Sequence, residues 1–123
     1  MQIDGALAGE SYCYITTVGR VTGKPHTVEI WFALVGSTLY VLAGSGHGAD
    51  FVKNAKRQAH VSIRIAGTQF SALTRVAVTD DEERAARTLV YDKYAPNYND
   101  LEDWRETALV VAFDLEAVMG AVV

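Results

Sequence analysis

"GSGHGA", residues Gly44–Ala49, is the stretch on which the fold turns. It matches G-x-G-x-x-[GA], the glycine pattern of a dinucleotide-binding turn, and it lies between a strand-like and a helix-like segment. Read that way, the chain would be a parallel α/β sheet. Two requirements fail. The acid that grips the ribose should stand at the end of the next strand, near Ala66, and no Asp or Glu is there. The helix that follows, "ADFVKNAKRQ" (Ala49–Gln58), is amphipathic but short for a crossover. Its glycines still allow backbone N–H groups to converge beside a helix start, where an anion or a polar ring edge could dock. Asp50 argues against a bare phosphate there and also suits a helix N-cap.

Outward from this loop the chain reads as hairpins. "SYCYITT" (Ser11–Thr17) is aromatic and β-branched, and "HTVEIWFALV" (His26–Val35) alternates, with Val28, Ile30, Phe32 and Leu34 on its apolar face. Gly36-Ser37 turns the chain into "TLYVLA" (Thr38–Ala43). Beyond the short helix, "HVSIRI" (His60–Ile65), a turn at Ala66-Gly67 and "TQFSALTRVAV" (Thr68–Val78) form another strand pair. Thr79 and Glu82 form a capping box that opens a helix running to about Tyr94. Its inner stripe is Ala86, Leu89, Val90 and Tyr94, and Pro96 stops it. A polar stretch with Tyr98 and a short turn around Trp104 lead to the last strand, "ALVVAFDL" (Ala108–Leu115). This order predicts a single mainly β domain over residues 1–123: a six-stranded antiparallel barrel with short helices packed outside and residues 1–10 peripheral.

A chain of 123 residues is long enough for one sizeable core. The net charge of −4 divides unevenly. Residues 1–78 carry seven Lys/Arg and four Asp/Glu, hence +3, and residues 79–123 carry four and eleven, hence −7. The basic part suggests a local anion site, not the broad positive face a nucleic acid needs. No apolar run is long enough to span a bilayer, and "MQIDGALAGES" lacks the pattern of a secretory leader. Cys13, the sole cysteine, has no internal partner. A cytoplasmic location is therefore expected. The three histidines lack zinc spacing, and no nucleophile elbow or P-loop occurs.

"TTVGRVTGKPH" (Thr16–His26) gathers threonines, glycines and cations in one bend. Gly19 and Gly23 punctuate a turn, but Arg20 and Lys24 bracket it with the Thr17 and Thr22 hydroxyls near. Such a set suits a phosphate or a polycarboxylate. Together with "EIWF" (Glu29–Phe32) and "DFVKN" (Asp50–Asn54), this bend resembles the deazaflavin (F420)-dependent nitroreductase family, over about Tyr14 to Leu115. The family consists of split β-barrels of the FMN-binding superfamily.

The resemblance implies a reductase passing a hydride from reduced F420 to a small organic acceptor such as a quinone, a nitro compound or an activated alkene. It implies tail contacts at Thr17, Arg20, Thr22, Lys24 and His26, and a ring-side loop at Ala43–His47 that includes Ser45, Gly46 and His47. Phe51 and Asn54 match the start of the helix closing over the cofactor, and Tyr94 and Tyr98 match substrate-facing tyrosines. Many members carry a basic residue at the position of Val21, Arg at that of His26 and Trp at that of Phe51, so this tail site is less cationic. The alternatives are an FMN-dependent reductase of the same superfamily and a non-catalytic binder of a flavin-like or lipid-like ligand. The expected partners are a small-molecule substrate and a second copy in a homodimer, with no nucleic acid and no membrane span.

Overall fold

The computed structural model describes residues 3–76 and 78–121. Its strands are β1 (Cys13–Val18), β2 (Pro25–Ile30), β3 (Ala33–Val35), β4 (Thr38–Ala43), β5 (His60–Ile65), β6 (Thr68–Arg75) and β7 (Leu109–Ala121). They form one antiparallel sheet in the order β2-β1-β5-β6-β7-β4-β3. The two edge strands, β2 and β3, are consecutive in the chain and separated only by Trp31 and Phe32.

That connection dictates the shape. In a flat sheet of seven strands the edges would lie about 29 Å apart, six spacings of about 4.8 Å. Three Cα steps from Ile30 to Ala33 reach about 11 Å at most. The sheet therefore curls until its edges nearly meet, which gives the expected antiparallel split barrel. The strand count is seven and not six, because the segment predicted as one strand over His26–Val35 breaks at Trp31–Phe32. Phe32 is fully buried, and its backbone pairs with side chains of a helix instead of a neighbouring strand. The Phe32 N–H donates to the Tyr94 hydroxyl at 3.0 Å, and the Phe32 carbonyl accepts from Lys93 Nζ at 2.9 Å.

Two apolar clusters follow from the alternation of the strands. Ile15, Leu39, Val41, Ile63, Phe70 and Phe113 fill the barrel, joined by Phe51, Val52 and Ala55 of α1 (Asp50–Arg57). Leu42 and Val110 point to the outer face and are covered by Ala86, Val90 and Tyr94 of α2 (Asp80–Tyr94). Leu89 is 41% exposed and so falls off the predicted inner stripe. β7 runs to Ala121, past the predicted end at Leu115, because it pairs with β4 through Asp114 and with β6 through Ala121. β6 ends at Arg75, and Ala77 of its predicted extension lies outside the described residues. At the N-terminus, Gly5–Gly9 forms a 3₁₀ turn, with Ile3 and Leu7 against the barrel core. A third helix, α3 (Glu102–Thr107), carries Trp104.

Thr79 caps α2 by accepting from the Glu82 N–H at 3.2 Å. The Glu82 carboxylate takes two bonds from Arg75 (2.8 Å each) and one from the Tyr40 hydroxyl (2.6 Å). Arg75 also donates to Asp114 (2.6 and 3.2 Å), which accepts from Thr38 (3.1 Å). One guanidinium thus ties β6 to β7 and to the start of α2. The hydrogen bonds from Arg75, and secondly from Tyr40, hold the Glu82 carboxyl at about 2, below its ordinary 4.5. A depressed carboxyl stabilises the fold above its unfolded-state value and loses that contribution as pH falls toward the folded one. We expect thermal stability to decline as pH falls from 4.5 toward 2. Glu82→Gln should flatten that part of the profile and cost about 1 kcal/mol at neutral pH, by thermal unfolding.

Candidate functional site

The bend between β1 and β2 is bonded to itself. Gly19 N–H donates to the Lys24 carbonyl and Gly23 N–H to the Gly19 carbonyl, both at 2.8 Å. Gly23 has φ +73°, a left-handed value that glycine adopts without strain. Gly19 is needed for a different reason. A Cβ there would come within 2.7 Å of the His26 ring and 2.9 Å of the Lys24 carbonyl oxygen.

Asn54 of α1, only 2% exposed, holds this bend from beneath. Its carboxamide oxygen accepts from the Arg20 N–H (3.1 Å) and from Arg20 Nη1 (2.9 Å), while its nitrogen donates to Thr17 Oγ1 (3.2 Å). Arg20 Nη2 reaches Asp50, one turn earlier on α1, at 3.2 Å. Thr22 Oγ1 accepts from the Lys24 N–H at 3.2 Å. The result is a depression of about 210 Å³ lined by Gly19, Arg20, Thr22, His26, Asp50 and Asn54. Its guanidinium is already oriented, so little conformational entropy is lost when an anion arrives.

At the other end of β2 lies a larger, mostly apolar cavity of about 470 Å³, lined by Tyr12, Glu29, Trp31, Leu42, Leu101 and Trp104, with Gly44 at its edge. Trp31 is the hub. It stacks on Tyr94 (ring centroids 4.2 Å apart, planes within 5°), leans on Tyr98 (4.5 Å, 53°) and meets Trp104 edge-on (5.7 Å, 86°). Tyr94 is buried, and its hydroxyl contacts the Phe32 N–H (3.0 Å), the Ser11 carbonyl (2.8 Å) and the Phe32 carbonyl (3.3 Å). Burial pushes this phenol up to about 12. Tyr98 is 46% exposed, and its phenol raises the neighbouring Tyr12 hydroxyl above its ordinary value. From His26 to Trp31 the chain advances about 16 Å, five residues of strand. A cationic depression and an aromatic cavity therefore lie along one exposed edge strand.

The residues singled out from sequence fall into three groups. Arg20, Thr22, His26 and Asn54 come together at the depression, with Lys24 in the same bend. Thr17, Ala43 and Phe51 are buried, at 1, 2 and 8% exposure: Thr17 props up Asn54, and Ala43 and Phe51 pack in the barrel core. Their side chains therefore face the interior. Ser45 and Gly46 do not line the cavity, where Gly44 stands instead, and His47 contacts Lys56 of α1. Tyr12, Glu29, Trp31 and Trp104 line the cavity, although no sequence motif marks them as site residues. One signal was available: Trp31 and Trp104 are the only tryptophans, and Trp31 lies off the apolar face of its strand.

The described residues hold no group of three or more potential metal ligands. The curled antiparallel sheet is a split barrel, the fold of the flavin-binding-like class. The chain belongs to the F420H(2)-dependent quinone reductase family, whose model matches residues 2–116, and its cofactor is F420. Solved structures share the fold at low identity. They include a protein described as an F420 reductase (TM-score 0.64, 17% identical, 94% of this chain and 97% of that one). A conserved hypothetical protein from Mycobacterium tuberculosis is similar (0.68, 13%, 98% and 83%), as is HutZ, the heme storage protein from Vibrio cholerae (0.65, 16%, 100% and 95%). No curated protein matches the sequence.

The donor set fits this cofactor: F420 joins a planar ring to an anionic tail, and β2 joins an aromatic cavity to a cationic depression. Asp50 already engages one arm of Arg20, so it competes with an incoming anion. Asp50→Asn should tighten F420 binding about two- to fivefold, the scale of one exposed ion pair, in a fluorescence titration. The gain should shrink as ionic strength rises.

Proposed function

We propose that this protein is an F420H2-dependent reductase, cytoplasmic and homodimeric, that reduces a small planar acceptor of the quinone, nitro or activated-alkene type. The observation that carries this reading is the placement of the Arg20 depression and the Trp31 cavity at the two ends of β2. In this reading Arg20, Thr22, Lys24 and His26 bind the tail, and Asn54 and Thr17 hold Arg20 in place. When bound, the deazaflavin supplies a hydride and is a poor one-electron donor. The chain's task is then to orient a ring against an acceptor and to exclude water. Trp31, Trp104 and Leu101 supply apolar walls for that.

The two tyrosines take different roles. The Tyr94 hydroxyl is bonded to the Phe32 and Ser11 backbone and its ring stacks on Trp31, so Tyr94 positions Trp31. Tyr98 keeps its ring at the surface beside Tyr12, where a phenol can meet the acceptor and supply a proton. The homodimer reading is supported by Val118 and Met119, which are exposed on the part of β7 beyond its pairing with β4. A monomeric mass by sedimentation at micromolar concentration would sink it.

The primary test is oxidation of F420H2 with menadione, beside FMN as an alternative cofactor. Tight FMN binding without a response to F420 would overturn the reading. Arg20→Ala should weaken F420 binding by about 1.5–3 kcal/mol, the cost of a lost charge-assisted bond. Tyr94→Phe should lower unfolding stability by about 1–3 kcal/mol, because it strands the buried Phe32 N–H. Tyr98→Phe should leave stability unchanged and lower turnover about tenfold to a hundredfold, since water can replace the lost hydroxyl. Equal turnover in both phenylalanine variants and the wild type would place the acceptor elsewhere.

A further inference from the structure

Among the described residues, Glu29 is the only charged side chain lining the 470 Å³ cavity. It is exposed on β2, pairs in register with Tyr14, and forms no ion pair or side-chain hydrogen bond among the described residues. The cations of this region are otherwise engaged. Lys93 donates to the Phe32 carbonyl and lies 3.7 Å from the Phe32 ring centroid, while Arg64 lies 4.2 Å from the centroid of Tyr14. An unpaired carboxylate thus faces a space walled by Tyr12, Trp31 and Trp104. Aromatic faces carry partial negative charge and attract cations, tryptophan most strongly. Walls and rim therefore bear the same electrostatic sign.

We propose that the aromatic cavity, where cofactor ring and acceptor would meet, selects planar aromatic acceptors carrying a positive charge, such as N-alkylated heteroaromatic rings, over neutral and anionic rings of the same size, with Glu29 as the selecting residue. This deepens the reductase reading and rests on it. For such a ring the chemistry balances without the proton that Tyr98 would give a quinone or nitro acceptor. A cationic ring takes one hydride and becomes neutral, a C–H bond forms, and the reduced deazaflavin is oxidised and releases its remaining proton to water. The attraction exists in the substrate and vanishes in the product, so the same carboxylate that favours binding does not retain what is made.

The test uses three rings of matched size on the protein without cofactor at pH 8: 10-methylacridinium, acridine and acridine-9-carboxylate. Binding is read by quenching of Trp31 and Trp104 fluorescence and confirmed by equilibrium dialysis. The cation should bind about five- to tenfold more tightly than acridine, the scale of one exposed ion pair and one cation–aromatic contact together, and the carboxylate more weakly than acridine. In Glu29→Gln the ratio of cation to neutral affinity should fall at least threefold. In the wild-type protein the ratio should also fall as salt rises from about 0.05 to 0.5 M, a readout that does not depend on the variant folding. A ratio near one in the wild type, or a ratio unmoved by both Glu29→Gln and salt, overturns the proposal. Oxidation of F420H2 by menadione, run beside it on the wild type, separates the two readings. Turnover without a charge preference removes only the selection by Glu29. A Glu29-dependent preference without turnover removes the reductase reading and leaves the cavity's selectivity standing.

Discussion

The structure depends on a two-residue bridge. Trp31 and Phe32 connect the two edges of a seven-stranded sheet, and a chain that short cannot cross a flat one. Curling brings the edges together but leaves a seam where the strand ladder stops. Buried backbone groups at a seam need partners. Here Tyr94 and Lys93, from the end of α2, supply them. The same geometry presents the Trp31 ring to the outside of the seam, where Tyr94 stacks on it. Closing the barrel and building the aromatic cavity are one event.

The cationic depression has a different architecture. Its charge comes from a bend, but its rigidity comes from α1, thirty residues further along. A single buried carboxamide, Asn54, holds both the backbone and the guanidinium of Arg20. A bend of this composition alone would sample many orientations. With Asn54 satisfied on both sides, it has one. Among the described residues no buried side-chain nitrogen or oxygen lacks a partner, so the site is built without stored polar strain.

Much of this was legible in the sequence because local rules decided it. The cap at Thr79, the stop near Pro96, the turn at Gly36-Ser37 and the strand at Thr38–Ala43 are short-range features, and the structure keeps them. Failures came where long-range contacts override local pattern. The alternation of His26–Val35 is unbroken in sequence, but its middle belongs to the seam. Leu89 fits a helical stripe, but that stripe is covered only at the positions of Ala86, Val90 and Tyr94.

By itself, the sequence determined the antiparallel class, the anion-seeking bend at Thr16–His26 and the membership that its motifs announce. Those follow from residue type and spacing within a few positions, where sterics and hydrogen bonding act directly. Only the tertiary structure decided which side chains meet. Tyr12, Glu29, Trp31 and Trp104 come from three separate segments, and Thr17 and Arg20, three positions apart, have opposite fates. No local rule reaches that far. The side of a curled sheet that a residue faces is set by where the sheet closes, and closure is a property of all seven strands at once.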